Sequence, residues 1–199
     1  MSSVAIIDSG GANIASVVSA LERLDIHPHF TKEAKNIQSA DKVILPGVGA
    51  AQHGMKCLHE NDLINVIQKL EQPVLGICLG MQLLFDASEE GDTTALGCIN
   101  GSLRLFSNHM NLTIPHMGWN NLTALEDHPL LYGLNKESYF YFVHSYYAPV
   151  GDFTIGTTNY GCDFTSIAAK DNFMGCQFHP EKSGDAGEQI LRNFLDLKL

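Results

Sequence analysis

Pro73-Val74-Leu75-Gly76-Ile77-Cys78-Leu79-Gly80-Met81-Gln82 is the stretch on which the reading of this chain turns. An apolar run from Val74 to Ile77 ends at a cysteine, and glycines stand two positions to either side of it. A run without polar alternation marks a strand buried on both faces of a sheet, and the small neighbours leave room for a tight strand-to-helix turn. A reactive side chain on such a turn forms a nucleophile elbow. Cys78 would then stand at a helix N-terminus, where free amides and the helix dipole favour thiolate over thiol, and the N–H of Leu79 would point towards an oxyanion. The same fragment also fits an inert buried thiol, a common state of free cysteine.

Outward from this stretch the pattern repeats. Val4-Ala5-Ile6-Ile7-Asp8 ends at Ser9-Gly10-Gly11, after which Ile14, Val17, Val18, Leu21 and Leu24 recur at helical spacing, and Lys42-Val43-Ile44-Leu45 precedes Pro46-Gly47-Val48-Gly49. Strands alternating with helices predict an α/β fold with a parallel sheet covered on both faces. The second half predicts strands over residues 102–106, 121–124, 139–147, 154–158, 166–169 and 173–178, several of them antiparallel, so the sheet is mixed. An amphipathic helix with Ile190, Leu191, Phe194 and Leu195 on its apolar side closes the chain, after a loop bearing Gly184 and Gly187. At 199 residues, with no repeat or linker-like tract, the expectation is a single domain over 1–199.

Composition narrows the function. The net charge of -10, from 22 acidic and 12 basic residues, argues against a nucleic-acid partner, which needs clustered Lys and Arg. The five cysteines, Cys57, Cys78, Cys98, Cys162 and Cys176, include no close pair, which suggests neither a disulfide framework nor a Cys-x-x-Cys zinc site and points to a reducing compartment. No signal-like leader and no long apolar run is present, so the expected location is cytoplasmic with no membrane contact. Asn-x-Thr triplets at Asn111 and Asn121 would need a secretory setting and are taken as chance matches.

A second constellation gives Cys78 a partner. Phe178-His179-Pro180-Glu181 follows another apolar strand, and on extended backbone residues i and i+2 share a side. A carboxylate at Glu181 can therefore orient the imidazole of His179, which takes the thiol proton. No further His, Cys and carboxylate cluster at ligand spacing remains, so no metal or organic cofactor is expected.

The segments Gly76 to Gln82, Pro46-Gly47-Val48-Gly49 and His179-Pro180-Glu181, in this order and spacing, resemble the class I (triad) glutamine amidotransferases. Within that family Pro115-His116-Met117-Gly118-Trp119-Asn120, Phe142-Val143-His144-Ser145-Tyr146-Tyr147 and Phe178 to Ser183 resemble the glutaminase subunits of imidazole glycerol phosphate synthase. The likeness spans nearly the whole chain. It implies a flavodoxin-like, mostly parallel mixed sheet flanked by helices with an added antiparallel portion. It implies a glutaminase with Cys78, His179 and Glu181 as the triad and an oxyanion hole from Leu79, Val48 and Gly49. Gly47, Gln82, Glu90, His144, Ser145 and Tyr146 would bind glutamine. A separate cyclase subunit (HisF) of barrel fold would be the heterodimer partner, faced by Asn13, Trp119 and Lys182. One departure stands out: the family usually reads Asp-Tyr-Gly-x-Gly-Asn where this chain has Asp8-Ser9-Gly10-Gly11-Ala12-Asn13. Glutaminases serving anthranilate, pyridoxal phosphate or GMP synthesis share the triad but fit residues 115–120 and 142–147 less well. A cysteine peptidase or stress-protein hydrolase would not need the Gly-Met-Gln helix start or the His-Pro-Glu pair. A non-catalytic module of the same fold would normally have lost a triad member.

Overall fold

Two neighbouring strands, β3 (Lys42–Gly47) and β4 (Val74–Cys78), are buried along their whole length, as runs without polar alternation require. The computed structural model describes residues 3–10, 14–107 and 112–198; Asn13 and Asn111 lie outside the described residues. The remaining elements of the first half are β1 (Val4–Ile7), α1 (Ile14–Glu22), β2 (His29–Thr31), α2 (Ala34–Ser39), α3 (Ala51–Glu60), α4 (Ile64–Gln68) and α5 (Leu79–Leu83). The second half contains β5 (Phe85–Ser88), β6 (Thr93–Thr94), β7 (Ile99–Leu105), β8 (His116–Asn121), β9 (Ala124–Leu125), β10 (Tyr139–His144), β11 (Tyr146–Pro149), β12 (Thr154–Asn159), β13 (Asp163–Lys170), β14 (Phe173–Cys176) and α6 (Gly184–Asp196).

The sheet is mixed, as the sequence predicts. Its order runs β2-β1-β3-β4-β14-β13-β11-β7-β5-β6, with the first five strands mutually parallel and β13 antiparallel to β14. Alternate residues of each strand feed two cores on opposite faces. Ile6, Ile44, Leu75 and Ile77 join α1 and α6 on one side, and Ile7, Val43, Leu45 and Val74 join α2 to α5 on the other. Strands β8 and β10 form a separate antiparallel ribbon with Tyr141 opposite Trp119 and His144 opposite His116.

Several local expectations change. The predicted strand 139–147 breaks at Ser145 into β10 and β11, which belong to different sheets, and 121–124 straddles the gap between β8 and β9. Gly184 and Gly187 belong to α6 and not to a loop before it. A Cβ at Gly187 would lie 2.0 Å from the Pro180 carbonyl oxygen, so this glycine lets the helix close onto the Pro180–Lys182 3-10 turn. Asn193 is buried on the inner face of α6, where its amide caps the Leu130 and Tyr132 carbonyls at 2.9 and 2.8 Å, while Leu195 is only partly covered.

The contact that sets the position of the site is α5 against the strands beneath it. A Cβ on Gly80 would stand 1.7 Å from the Leu45 carbonyl oxygen, and one on Gly76 would stand 2.6 Å from the Met81 nitrogen. Helix and sheet therefore meet backbone to backbone, leaving no space for a methyl group. We expect Gly80→Ala to destabilise the fold by about 1–3 kcal/mol or more through overpacking, read as a lowered urea midpoint at unchanged slope. A variant as stable as the parent would show that the close approach is not a constraint.

Candidate active site

Cys78 ends β4 and caps α5 with φ +53° and ψ -110°, a conformation that costs a non-glycine residue on the order of 1–3 kcal/mol. The backbone of the elbow holds it there, with Gly47 paired to Cys78 across β3 and β4. Helix α5 is only five residues long, so the dipole behind the thiol is that of little more than one turn. Leu79, its first residue, carries an N–H with no intrahelical acceptor.

His179 lies three residues beyond the end of the adjacent parallel strand β14, which brings it to the same edge as Cys78. Its Nδ1–H donates to Glu181 Oε1 at 2.8 Å, and both side chains are almost wholly buried. The i, i+2 spacing predicts this pair on extended backbone. Instead Glu181 sits in the 3-10 turn Pro180–Lys182, and the turn carries its carboxylate back to the ring. Ser183, buried at the end of that turn, donates to the His179 carbonyl at 2.6 Å and accepts from Tyr141 N–H, while His179 N–H donates to the Tyr141 carbonyl. The triad segment is thus stitched to β10. Burial opposes a charge on the His179 ring, but Cys78 and Glu181 outweigh it and raise its pKa to about 9. Among the described residues Nε2 makes no hydrogen bond of ordinary geometry, and the Cys78 thiol is the group that acts on this side of the ring.

Cys78 and His179 line a cavity of about 330 Å³ together with Val48, Gly49, Leu79, Gln82, Glu90, Pro115, Val143, His144, Ser145 and Tyr146. Ten of the residues singled out from sequence therefore converge on one opening. Gly49 has φ +92°, and among the described residues nothing lies within 4 Å of a would-be Cβ, so the loop after β3 has room to present a backbone amide there. Gly47 does not line this cavity. Its α-carbon packs against Leu79 and Gly80, where a Cβ would approach both to 2.9 Å, and it lines a smaller neighbouring cavity with Val48, His179 and Glu181.

Two other assignments are refined by their hydrogen bonds. His144 donates Nδ1–H to the Tyr146 carbonyl at 2.8 Å, which leaves Nε2 as the acceptor for His116 Nδ1–H at 2.9 Å. With both nitrogens engaged, this ring shapes the wall and offers no free group for substrate. Burial pushes both imidazoles down, His144 to about 3 and His116 to about 4, so the pair is neutral. Gln82 spends its amide N–H groups on the Tyr146 carbonyl at 3.0 Å and Gln177 Oε1 at 2.9 Å, so only its oxygen remains for a ligand. Glu90 accepts from the Ala51 amide at 2.7 Å through Oε2, an N-terminal contact to α3. Trp119 and Lys182 are exposed. Sequence reading missed Ser183, Gln177 and the wall residues Pro115 and Val143. Gln177 carried a usable signal, since the strand predicted over 173–178 puts it two residues before His179 and so on the same side, although β14 itself ends at Cys176.

These features agree with what the chain resembles. The model of the family described as glutamine amidotransferase class-I matches residues 5–197. The imidazole glycerol phosphate synthase subunit HisH of Xanthomonas campestris pv. campestris is 47% identical over 197 residues, covering 99% of this chain and 98% of the relative. HisH 2 of Legionella pneumophila, likewise an imidazole glycerol phosphate synthase subunit, is 49% identical over 195 residues, covering 98% of each. In the solved structure of PurLQS from Thermotoga maritima a chain superposes with a TM-score of 0.73 at 16% identity, covering 98% of this chain and 99% of that one, a likeness of fold. This chain belongs to the class I glutamine amidotransferase family.

Proposed function

We propose that this chain is the glutaminase subunit of an imidazole glycerol phosphate synthase, which hydrolyses glutamine and passes the ammonia to a cyclase subunit in the cytoplasm. The observation that carries the reading is the strained, cavity-lining Cys78 beside a buried His179–Glu181 pair, in a chain nearly half identical to HisH subunits along its length.

In this reading His179 Nε2 takes the thiol proton and Cys78 attacks the side-chain amide carbon of glutamine. The oxyanion is met by the Leu79 N–H and by an amide of the Val48-Gly49 loop, and the imidazolium then protonates the leaving ammonia. Water hydrolyses the remaining thioester to glutamate by the same route in reverse. Glu181 holds the ring in the tautomer with its proton on Nδ1, so that Nε2 faces the chemistry.

Ammonia released into water would be protonated and diluted, so a partner must cover the opening. The outward side of the β8–β10 ribbon supplies a surface for it: Met117, Trp119 and Tyr139 are 62%, 55% and 55% exposed. Trp119 meets Tyr141 edge to face at 6.1 Å between ring centroids, and Tyr141 lies 6.5 Å from the His179 ring, so this surface continues into the triad. Lys182 is exposed next to Glu181 and adds a cation there.

Four outcomes test the proposal. Cys78→Ala abolishes both ammonia release and covalent labelling by glutamine-analogue electrophiles; labelling that persists at another cysteine would sink the assignment. His179→Ala lowers turnover by about 10²- to 10⁴-fold, the range of general acid–base catalysis, and Glu181→Gln lowers it less. In the parent, kcat/KM falls as pH rises through about 9, because the imidazolium that protonates ammonia is lost there. Removing the Glu181 carboxylate removes one cause of that raised value, so the alkaline limb moves down in Glu181→Gln; a limb that stays fixed would assign it to another group. Finally, the cyclase subunit and its nucleotide ligand stimulate ammonia release, and Trp119→Ala weakens association with the cyclase by roughly 2 kcal/mol or more, as truncation of an aromatic anchor does. Equal affinity of parent and variant by calorimetry would move the interface elsewhere.

A further inference from the structure

One fully buried glutamine touches the nucleophile and has no part in the reaction described above. Gln177 is 0% exposed, and its Nε2 donates to Cys78 Sγ at 3.8 Å. The sheet puts it there: Cys176 pairs with Ile77 between parallel β14 and β4, so the next residue on each, Gln177 and Cys78, stand side by side. The orientation of the amide follows from its neighbours. The Tyr146 carbonyl only accepts, so Gln82 must present its NH2 group to it, and that same NH2 reaches Gln177 at 2.9 Å. Gln177 must meet it with Oε1, which turns its own N–H groups to the sulfur.

The Val143 carbonyl oxygen also lies 3.8 Å from Cys78 Sγ. That oxygen accepts a hydrogen bond from a thiol and repels a thiolate. When the S–H bond breaks and its proton passes to His179 Nε2, the electron pair stays on sulfur. The Val143 contact then turns unfavourable, and the Gln177 N–H becomes a charge-assisted donor. With a helix of only five residues behind the sulfur, a side-chain donor carries weight that a long helix would otherwise share.

We propose that Gln177 is a further catalytic residue, the donor that holds the Cys78 thiolate once His179 has taken its proton, and that Gln82 is the positioning residue that keeps the Gln177 amide turned the right way. The proposal rests on Cys78 being the nucleophile. The titratable groups around the sulfur are His179 with Glu181, Cys176, and the cavity-lining His144, Glu90 and Tyr146. Burial keeps His144 neutral and the Cys176 thiol protonated, so neither changes charge across neutral pH.

The test is the rate of iodoacetamide alkylation at Cys78, followed by peptide mass spectrometry between about pH 5 and 9, where activated thiols titrate. It uses the full chain as parent, Gln177→Met, Gln177→Glu and Gln82→Met, with kcat and KM for glutamine measured beside the cyclase. Protection of Cys176, which is fully buried, reports that each variant has folded. In Gln177→Met the midpoint of alkylation moves up by about one pH unit, the size expected for a hydrogen bond to a charged group. It moves further in Gln177→Glu, where a carboxylate faces the thiolate, and less in Gln82→Met. Turnover falls about tenfold or more while KM stays within about twofold, because the donor acts on the nucleophile and Gln177 does not line the cavity. An unchanged midpoint in the folded variants overturns the proposal even if turnover falls, since that result would be packing alone. Failure of parent Cys78 to react ahead of the other cysteines would instead overturn the nucleophile reading on which the proposal stands.

Discussion

The backbone contact between α5 and the strands β3 and β4 is the constraint from which the rest of this site follows. Because Gly76 and Gly80 leave no side chain between helix and sheet, the chain must turn within one residue, and that residue takes a conformation that L-amino acids rarely adopt. The strain is concentrated at Cys78 and offset by burial of β3 and β4 on both faces. The same contact places the Leu79 amide and the loop after β3 at one opening. Position is thus set by sheet register and not by loop flexibility, and the triad inherits the stiffness of the parallel core.

Polar groups around the cavity form a continuous chain of donors and acceptors whose directions are fixed at one end. The Tyr146 carbonyl receives both His144 Nδ1–H and the Gln82 amide. From it one branch runs through His144 and His116 to Asn120, and the other through Gln82 and Gln177 to the thiol. A carbonyl can only accept, so each hydrogen atom along both branches has one place to be. Neutral imidazoles suit this arrangement, since a protonated His144 would lose its acceptor nitrogen and break the bond from His116.

Much of this was legible in the sequence, for reasons that differ by element. The elbow was readable because Gly76, Cys78 and Gly80 report steric need directly, and the two-sided burial of β3 and β4 because uninterrupted apolar runs have few other uses. The pairing of His179 with Glu181 was legible as proximity, but its geometry was not, because Pro180 starts a 3-10 turn where spacing alone suggested a strand. The break at Ser145 was hidden, since residues 139–147 are uniformly strand-like and only tertiary pairing sends β10 and β11 to different sheets. The role of Gln82 turned on hydrogen bonds to residues 64 and 95 positions away, and that of His144 on a local bond to the Tyr146 carbonyl combined with one to His116, 28 positions away, a combination that leaves no pattern in the sequence.

The division of the cavity between two sheets also bears on how such a protein can change over time. Cys78, His179 and the Leu79 amide come from the ends of the central strands, whereas Pro115, Val143 and His144 belong to the β8–β10 ribbon or its lead-in, which among the described residues pairs with no strand of the main sheet. Met117, Trp119 and Tyr139 on the outer side of that ribbon are exposed, whereas the inner residues His116, Phe140 and Phe142 that anchor it are buried. The outward face of the ribbon can therefore vary while the ends of the central strands stay as they are, so surface and chemistry are free to diverge at different rates.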